Sequence, residues 1–149
     1  MAKAAAEIRE KLHKSFADLA GQHIPYEKMD CNHSMAKGFE GAGLEYKQEG
    51  VSTFPSDVNA KHFSALTTDQ IKEGYHTGDV AVWKGTNPKT GEYVHHMAAY
   101  DANTGVDRYW RANNIWTAYR PGGNDFGPGR YQSFSKEFGF NPIWYRYSP

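Results

Sequence analysis

The chain has 149 residues, of which 39% are apolar and 23% are charged, a composition typical of one folded domain rather than a disordered chain. Basic and acidic residues number 17 each, so no excess of positive charge favours nucleic acid as a partner. No apolar run is long enough to span a membrane, and the charged N-terminus lacks the apolar block of a signal peptide. We therefore expect a single domain over residues 1–149, made in the cytoplasm, that binds neither nucleic acid nor membrane.

The first half of the sequence predicts helices. Apolar residues form one stripe at helical spacing: Ile8, Leu12, Phe16 and Leu19. This stripe predicts a helix over residues 4–20. Asp30 is a suitable N-cap for a second helix over residues 30–40. A short capped helix is predicted to begin at Thr67 or Thr68, after an irregular polar segment.

From Gly78 onward the periodicity changes to that of β-strands. The predicted strands are DVAVWKG (79–85), EYVHHMAAYD (92–101), VDRYWRANNIW (106–116) and PIWYRY (142–147). Residues 120–130 contain four glycines and two prolines and are predicted to be a loop. Helices followed by an antiparallel meander indicate the α+β class, with the helices packed on one face of a small sheet.

Cys31 is the only cysteine, so it cannot form an internal disulfide. Its predicted position at a helix N-terminus favours the thiolate, and the free N–H groups there could hold an oxyanion. The negative charge of Asp30 works against the thiolate. Two interpretations remain open, a reactive nucleophile and a buried structural cysteine.

A cysteine nucleophile needs a base, and the strand 92–101 offers His95 and His96. Adjacent residues of a strand point to opposite faces. The small Ala98 shares the face of His96 and leaves room beside its imidazole, so we expect the helix N-terminus to bring Cys31 to His96. The alternative is a hydrogen-bonded histidine of the sheet. Two adjacent histidines do not easily bind one metal ion, so neither a metal nor a cofactor is expected.

Residues 24–46, 78–85 and 96–101 each contain a short motif, and in this order the three motifs resemble the NlpC-type and CHAP families of cysteine amidases. IPYEKMDCNHSMAKGFEGAGLEY (24–46) is similar to the segment around their nucleophile, in which Pro-Tyr precedes an Asp-Cys-Ser that opens a helix. GDVAVWKG (78–85) resembles their Gly-Asp strand, and HMAAYD (96–101) resembles the strand that carries their base. The resemblance implies a papain-like fold, with Cys31 as nucleophile, His96 as base and Tyr26 lining the substrate site.

The sequence departs from the family pattern at two places. Asn32 and His33 stand where Ser-Gly is common. The family also has a polar residue on the strand after the base, which orients the imidazole. Asp107 and Asn113 are the candidates here, and a backbone carbonyl is a third possibility; the sequence does not choose among them.

The resemblance implies a peptidoglycan amidase or endopeptidase that cuts an amide bond in the peptide stem or cross-link. Without a signal peptide, such an enzyme resembles the small amidase effectors of type VI secretion, which are delivered to the periplasm of a target cell and are paired with an immunity protein. A phage lysin of the same chemistry is the nearest alternative. A deamidase-like or transglutaminase-like toxin would keep the fold and change the substrate.

An alternative from another class is a non-catalytic module that binds glycan or peptide through its aromatic surface, since 15% of the residues are aromatic.

Overall fold

The structure is a computed structural model that describes residues 2–106, 111–119 and 124–149. Within these residues, helices pack on an antiparallel sheet of six strands, which confirms the α+β class. The helices are α1 Ala2–Gly21, α2 Cys31–Gly41, α3 Thr68–Glu73 and α4 Tyr131–Phe138. The strands are β1 Phe63–Ala65, β2 Val80–Thr86, β3 Tyr93–Tyr100, β4 Ile115–Tyr119, β5 Asn124–Gly129 and β6 Ile143–Tyr147. None of the helices in the described part of the chain is long and apolar enough to cross a membrane.

The three predicted helices are confirmed, and local capping explains where two of them begin. Asp30 is the N-cap of α2, and its side chain accepts a hydrogen bond from the His33 main-chain N–H. Thr67 caps α3 in a capping box with Gln70, in which each side chain bonds the other residue's main-chain N–H.

The strand order is β1-β6-β2-β3-β4-β5. Strands β2 to β5 form an antiparallel meander, of which β5 was not predicted, and β6 returns to lie between β1 and β2. In the β2–β3 pair, Trp83 lies opposite His96 and Val82 lies opposite Met97. This register fixes which side chains share each face of the sheet.

Two of the predicted boundaries are wrong. The predicted loop 120–130 contains β5, which pairs with β4, and helix α4 follows it directly. The glycines and Pro128 are tolerated because β5 is an edge strand, and Phe126 anchors it in the core. Of the predicted strand 106–116, residues 107–110 lie outside the described residues; Val106 forms a single bridge to Ala112, and β4 begins only at Ile115.

The sheet has a separate core on each face. On one face, α1 and α2 pack over alternate strand residues such as Val80, Val82, Met97 and Ala99. On the other face, Phe138 of α4 packs with Ala81, Trp83, Ala98 and Ile115. The prediction that helices cover one face only is therefore wrong, because α4 covers the other.

Candidate active site

Cys31 is the first residue of α2, as predicted, and belongs to the core that α1 and α2 form on the sheet. Only 7% of the surface of Cys31 is exposed to solvent. The start of α2 lies against β3, where the thiol interacts with the main chain of Met97. Cys31 is thus held at the junction between a helix N-terminus and the strand that carries both candidate histidines.

Burial raises the pKa of the Cys31 thiol from 9.0 to about 11, and the negative charge of Asp30 adds to the rise. Hydrogen bonding to the main chain of Met97 and of the first residues of α2 acts in the opposite direction but does not prevail. The main-chain groups at the helix start thus favour the thiolate as expected, but burial outweighs them and the thiol is protonated at neutral pH.

His96 faces away from Cys31. Its imidazole is buried among four aromatic rings of the opposite core: Trp83, Tyr119, Phe134 and Phe138. The space that the sequence predicts beside Ala98 is occupied by this aromatic cluster, and Met97 takes the face toward α2. The predicted approach of Cys31 to His96 is wrong in this structure, because α2 packs on the other face of β3.

The His96 imidazole is fixed by Thr117 of β4. Thr117 Oγ1 lies 2.8 Å from His96 Nε2 and donates its hydrogen to the Met97 carbonyl oxygen at 3.0 Å. A hydroxyl has a single hydrogen to donate, so its oxygen accepts from the His96 Nε2–H, which leaves Nδ1 as the acceptor atom of the ring. Burial lowers the pKa of His96 to about 3, and the neighbouring His95 contributes to the lowering, so His96 is neutral at physiological pH.

Met97 is the shared neighbour of the two predicted catalytic residues. Cys31 interacts with its main chain from the α2 face, and the His96–Thr117 pair bonds its carbonyl. Strands β3 and β4 pair only at Ala99 and Tyr100, so they are not hydrogen-bonded to each other at Met97. Cys31 and His96 therefore lie on the two sides of one strand residue rather than in contact.

His95 is the imidazole on the face of Cys31. By strand alternation it shares that face with Met97 and Ala99. The His95 residue is exposed, and its ring centroid lies 6.0 Å from that of Tyr93. Residue order within β3 thus gives the two histidines opposite environments: His96 is buried in an aromatic core, and His95 is open to solvent on the sheet face that Cys31 packs against.

Of the two side chains predicted to orient the base, the structure describes only Asn113, and it does not reach His96. Asp107 lies outside the described residues. Asn113 is buried but precedes β4, whose first residue Ile115 pairs with Tyr100 at the far end of β3. His96 sits four residues earlier on β3, so the assignment of Asn113 is wrong in this register.

Sequence reasoning missed Thr117 as the partner of the imidazole. A threonine is common in any strand, and only the β3–β4 register places this one beside His96.

Tyr26 lies in the turn before α2 and packs, half-buried, against the core that contains Cys31.

A cavity of about 400 Å³ opens beside the His96 cluster. Its walls include Thr117, Tyr119 and Phe134, which all contact His96, together with residues 126–129 of β5. Cys31 does not line this cavity. Residues 126–129, which belong to the segment predicted as a loop, therefore line a cavity on the side of His96.

Among the residues that the structure describes, no three histidine, cysteine or acidic side chains are grouped so that they could hold a metal ion. No protein-family model, curated protein or solved structure matches this chain.

Proposed function

We propose that this chain is a papain-like cysteine amidase that hydrolyses an amide bond in the peptide stem or cross-link of peptidoglycan. The observation that carries the proposal is the place of Cys31. It opens α2, and this helix start lies on the strand that contains His95 and His96. The resemblance of residues 24–46, 78–85 and 96–101 to the NlpC-type and CHAP amidases gives the reaction and substrate class.

The raised pKa of Cys31 determines how such a reaction would start. Because the resting thiol is protonated, the imidazole must take its proton as Sγ attacks the carbonyl carbon. The Cys31 N–H at the helix start would stabilise the oxyanion of the tetrahedral intermediate. The imidazolium then gives its proton to the leaving amine as the C–N bond breaks. Water hydrolyses the thioester and restores the thiol.

We assign the base to His95 in the described conformation, because it shares the face of Cys31 and is open to substrate. The motif resemblance assigns the base to His96 instead, whose Nε2 contacts Thr117 and whose Nδ1 is left as the acceptor, but burial lowers its pKa and makes it a weak base. His96 could act only if its ring approached Cys31 from the other side of Met97.

We further propose the setting of a secreted antibacterial effector of the type VI class, with an immunity protein as inhibitor in the producing cell and the periplasm of a target cell as site of action. This rests on the resemblance alone. A phage lysin would use the same chemistry on the same substrate, so a partner protein that blocks activity would favour the effector.

The test is digestion of purified Gram-negative sacculi, with soluble fragments identified by mass spectrometry. Wild type should release cleaved stem peptides, and Cys31→Ala should release none. His95→Ala should lose at least 100-fold in rate, since general bases contribute about 10²–10⁴-fold. His62→Gln, which removes a histidine that pairs with Glu45, is the matched control and should retain activity.

Each outcome of this digestion is informative. Loss of activity in His96→Ala but not in His95→Ala would move the base to His96 and show that β3 rearranges on substrate binding. Full activity of Cys31→Ala would reject the cysteine mechanism.

A non-catalytic binding module is the second candidate, and the burial and raised pKa of Cys31 favour it. In that case Cys31 is a core residue and the protein binds sacculi without cutting them. Cosedimentation of both wild type and Cys31→Ala with sacculi, without release of fragments, would support this second function and contradict the first.

A further inference from the structure

A second cavity, of about 410 Å³, lies between the first half of α1 and one end of the sheet, and we call it the α1 cavity. Its helix wall is formed by Ala5, Ile8, Arg9 and Leu12. Its sheet wall comes from residues 76–79, which precede β2, and from residues 146–149 at the end of β6 and beyond it. The volume falls in the range of small-molecule sites, about 300–1,000 Å³. Cys31, His95 and His96 do not line the α1 cavity, so it is separate from the candidate active site.

Arg9 stands on the face of α1 that packs toward the sheet. Residues 5, 8, 9 and 12 follow the spacing i, i+3, i+4, i+7, which places them on one side of a helix. On this side Leu12 is fully buried, and Ile8 is half-buried against the core. Arg9 is half-buried beside them and lines the cavity. An arginine here introduces a permanent positive charge into a mostly apolar wall.

The positive charge of Arg9 has no counter-ion in the described part of the chain, where no ion pair or hydrogen bond joins Arg9 to another residue. The one carboxylate in the cavity wall, that of the buried Asp79, is already used. Arg146 donates from Nε to Asp79 Oδ1 at 2.9 Å and from Nη2 to Oδ2 at 2.8 Å. The His76 main-chain N–H donates to Oδ2 at 2.8 Å. Asp79 and Arg146 therefore balance each other, and Arg9 leaves one positive charge uncompensated.

The titration of His76, at the cavity rim, is consistent with this charge. Burial lowers its pKa, and the positive charges of Arg146 and Arg9 lower it further. The carboxylates of Asp79 and Glu73 act in the opposite direction but do not prevail. His76 is thus neutral at pH 7 and adds no charge to the cavity.

We propose that the α1 cavity binds a small molecule that carries one carboxylate on a short apolar chain. The carboxylate pairs with the guanidinium of Arg9, whose planar fork of N–H donors matches its two oxygens. The chain lies against the apolar side chains of Ile8, Leu12 and Tyr147. One uncompensated positive charge suits a monoanion better than a dianion. This site goes beyond the proposed function and does not depend on Cys31.

The test is a chemical-shift titration of the ¹⁵N-labelled protein with sodium octanoate and, separately, with octanamide. The two probes have the same chain and differ in charge. Wild type should bind octanoate about 10- to 100-fold more tightly than octanamide, because a hydrogen-bonded charge pair is lost with the amide. The amide signals that shift should be those of residues 5–12, 76–79 and 146–148.

Arg9→Gln should bind both probes with the low affinity that wild type has for octanamide. Its spectrum also reports whether the variant is folded, and we expect it to be, since Arg9 has no partner to lose. Arg9→Lys keeps the charge and should retain part of the preference for octanoate. Lys14→Gln is the matched control, because it removes one positive charge from α1 outside the cavity, where Lys14 pairs with Asp18. It should bind both probes like wild type.

Three results would overturn the proposal: no binding of octanoate by wild type, equal affinity of wild type for the two probes, or an unchanged preference in Arg9→Gln. The first two need no variant, so they decide the matter even if a substitution disturbs the fold. Loss of the preference in Lys14→Gln as well would also overturn it, since the probe would then respond to overall charge. Neither probe is an amidase substrate, so failure of the peptidoglycan digestion leaves this test unaffected.

Discussion

At the scale of single residues, burial decides the chemistry of both predicted catalytic groups. A helix N-terminus stabilises an anion by about 0.3–1 kcal/mol at exposed positions, whereas full burial shifts a pKa by up to about 3–5 units. Cys31 is buried, so its pKa rises to about 11 despite its place at the start of α2. The same effect lowers the pKa of His96 to about 3. The two groups are therefore neutral in the resting protein.

His96 makes stability depend on pH. Its pKa is about 3 in the folded protein and 6.5 in the unfolded chain, so below pH 6.5 the unfolded chain binds a proton that the folded protein does not. The stability due to neutral His96 is fully present above pH 6.5 and is lost as the pH falls toward 3. Relative to His96→Gln, wild type should lose about 1.4 kcal/mol of unfolding free energy per pH unit in this window.

Urea unfolding of wild type and His96→Gln at several pH values from 7 to 4 measures this difference. Other titrating groups are common to both proteins and cancel in the comparison. A difference that stays constant with pH would mean that His96 is accessible to protons in the folded state.

At the scale of elements, the position of Cys31 depends on the close packing of α1 on α2. Gly38 of α2 lies directly against the ring of Phe16 of α1, and a Cβ at Gly38 would come within 2.0 Å of that ring. Phe16 is fully buried between Phe39 and Phe126, so it has no room to move. The two helices approach this closely because residue 38 has no side chain.

Gly38→Ala should therefore destabilise the fold by roughly 1–3 kcal/mol, because overpacking outweighs the better helix propensity of alanine. The control is Gly21→Ala at the end of α1, where nothing lies within 4 Å of the added Cβ. Chemical denaturation should leave that control close to wild type. A Gly38→Ala variant as stable as Gly21→Ala would show that α1 and α2 are not packed as described.

At the scale of the whole molecule, the Asp101 carboxylate links distant parts of the chain. It is buried and accepts hydrogen bonds from four donors: His13 of α1, Thr77, the Asn103 main chain and Trp116 of β4. Helix α1 is thereby tied to the sheet by a polar contact as well as by its apolar stripe. Each hydrogen bond to a charged group contributes about 1.5–3 kcal/mol.

Asp101→Asn should lower the unfolding free energy by roughly 3 kcal/mol, since the amide places two hydrogens where the carboxylate accepted. Far-UV circular dichroism and tryptophan fluorescence should shift together, because the contacts span the fold. Asp57→Asn, at an exposed loop residue, is the control and should leave both transitions in place. Separate shifts of the two signals would show that α1 unfolds on its own.

Local signals were sufficient for much of the fold. The stripe from Ile8 to Leu19, the Asp30 cap and the Thr67 cap each depend on residues within a few positions, and the corresponding helices are present. Strand β5 was missed because its glycines and Pro128 carry a loop signature, while its pairing with β4 depends on the sheet. The partner of His96 was missed for a similar reason, since Thr117 is identified only by register.

The sequence by itself determined the α+β class, the start of α2 at Cys31 and the strand that carries the two histidines, because caps and periodicity act over a few residues. Only the tertiary structure decided which face of β3 meets α2. That choice follows from the packing of Met97 and Val82 against the helices and of Trp83 against α4. It puts His95 on the face of Cys31 and buries His96 on the other face, because a strand turns each successive side chain to the opposite face.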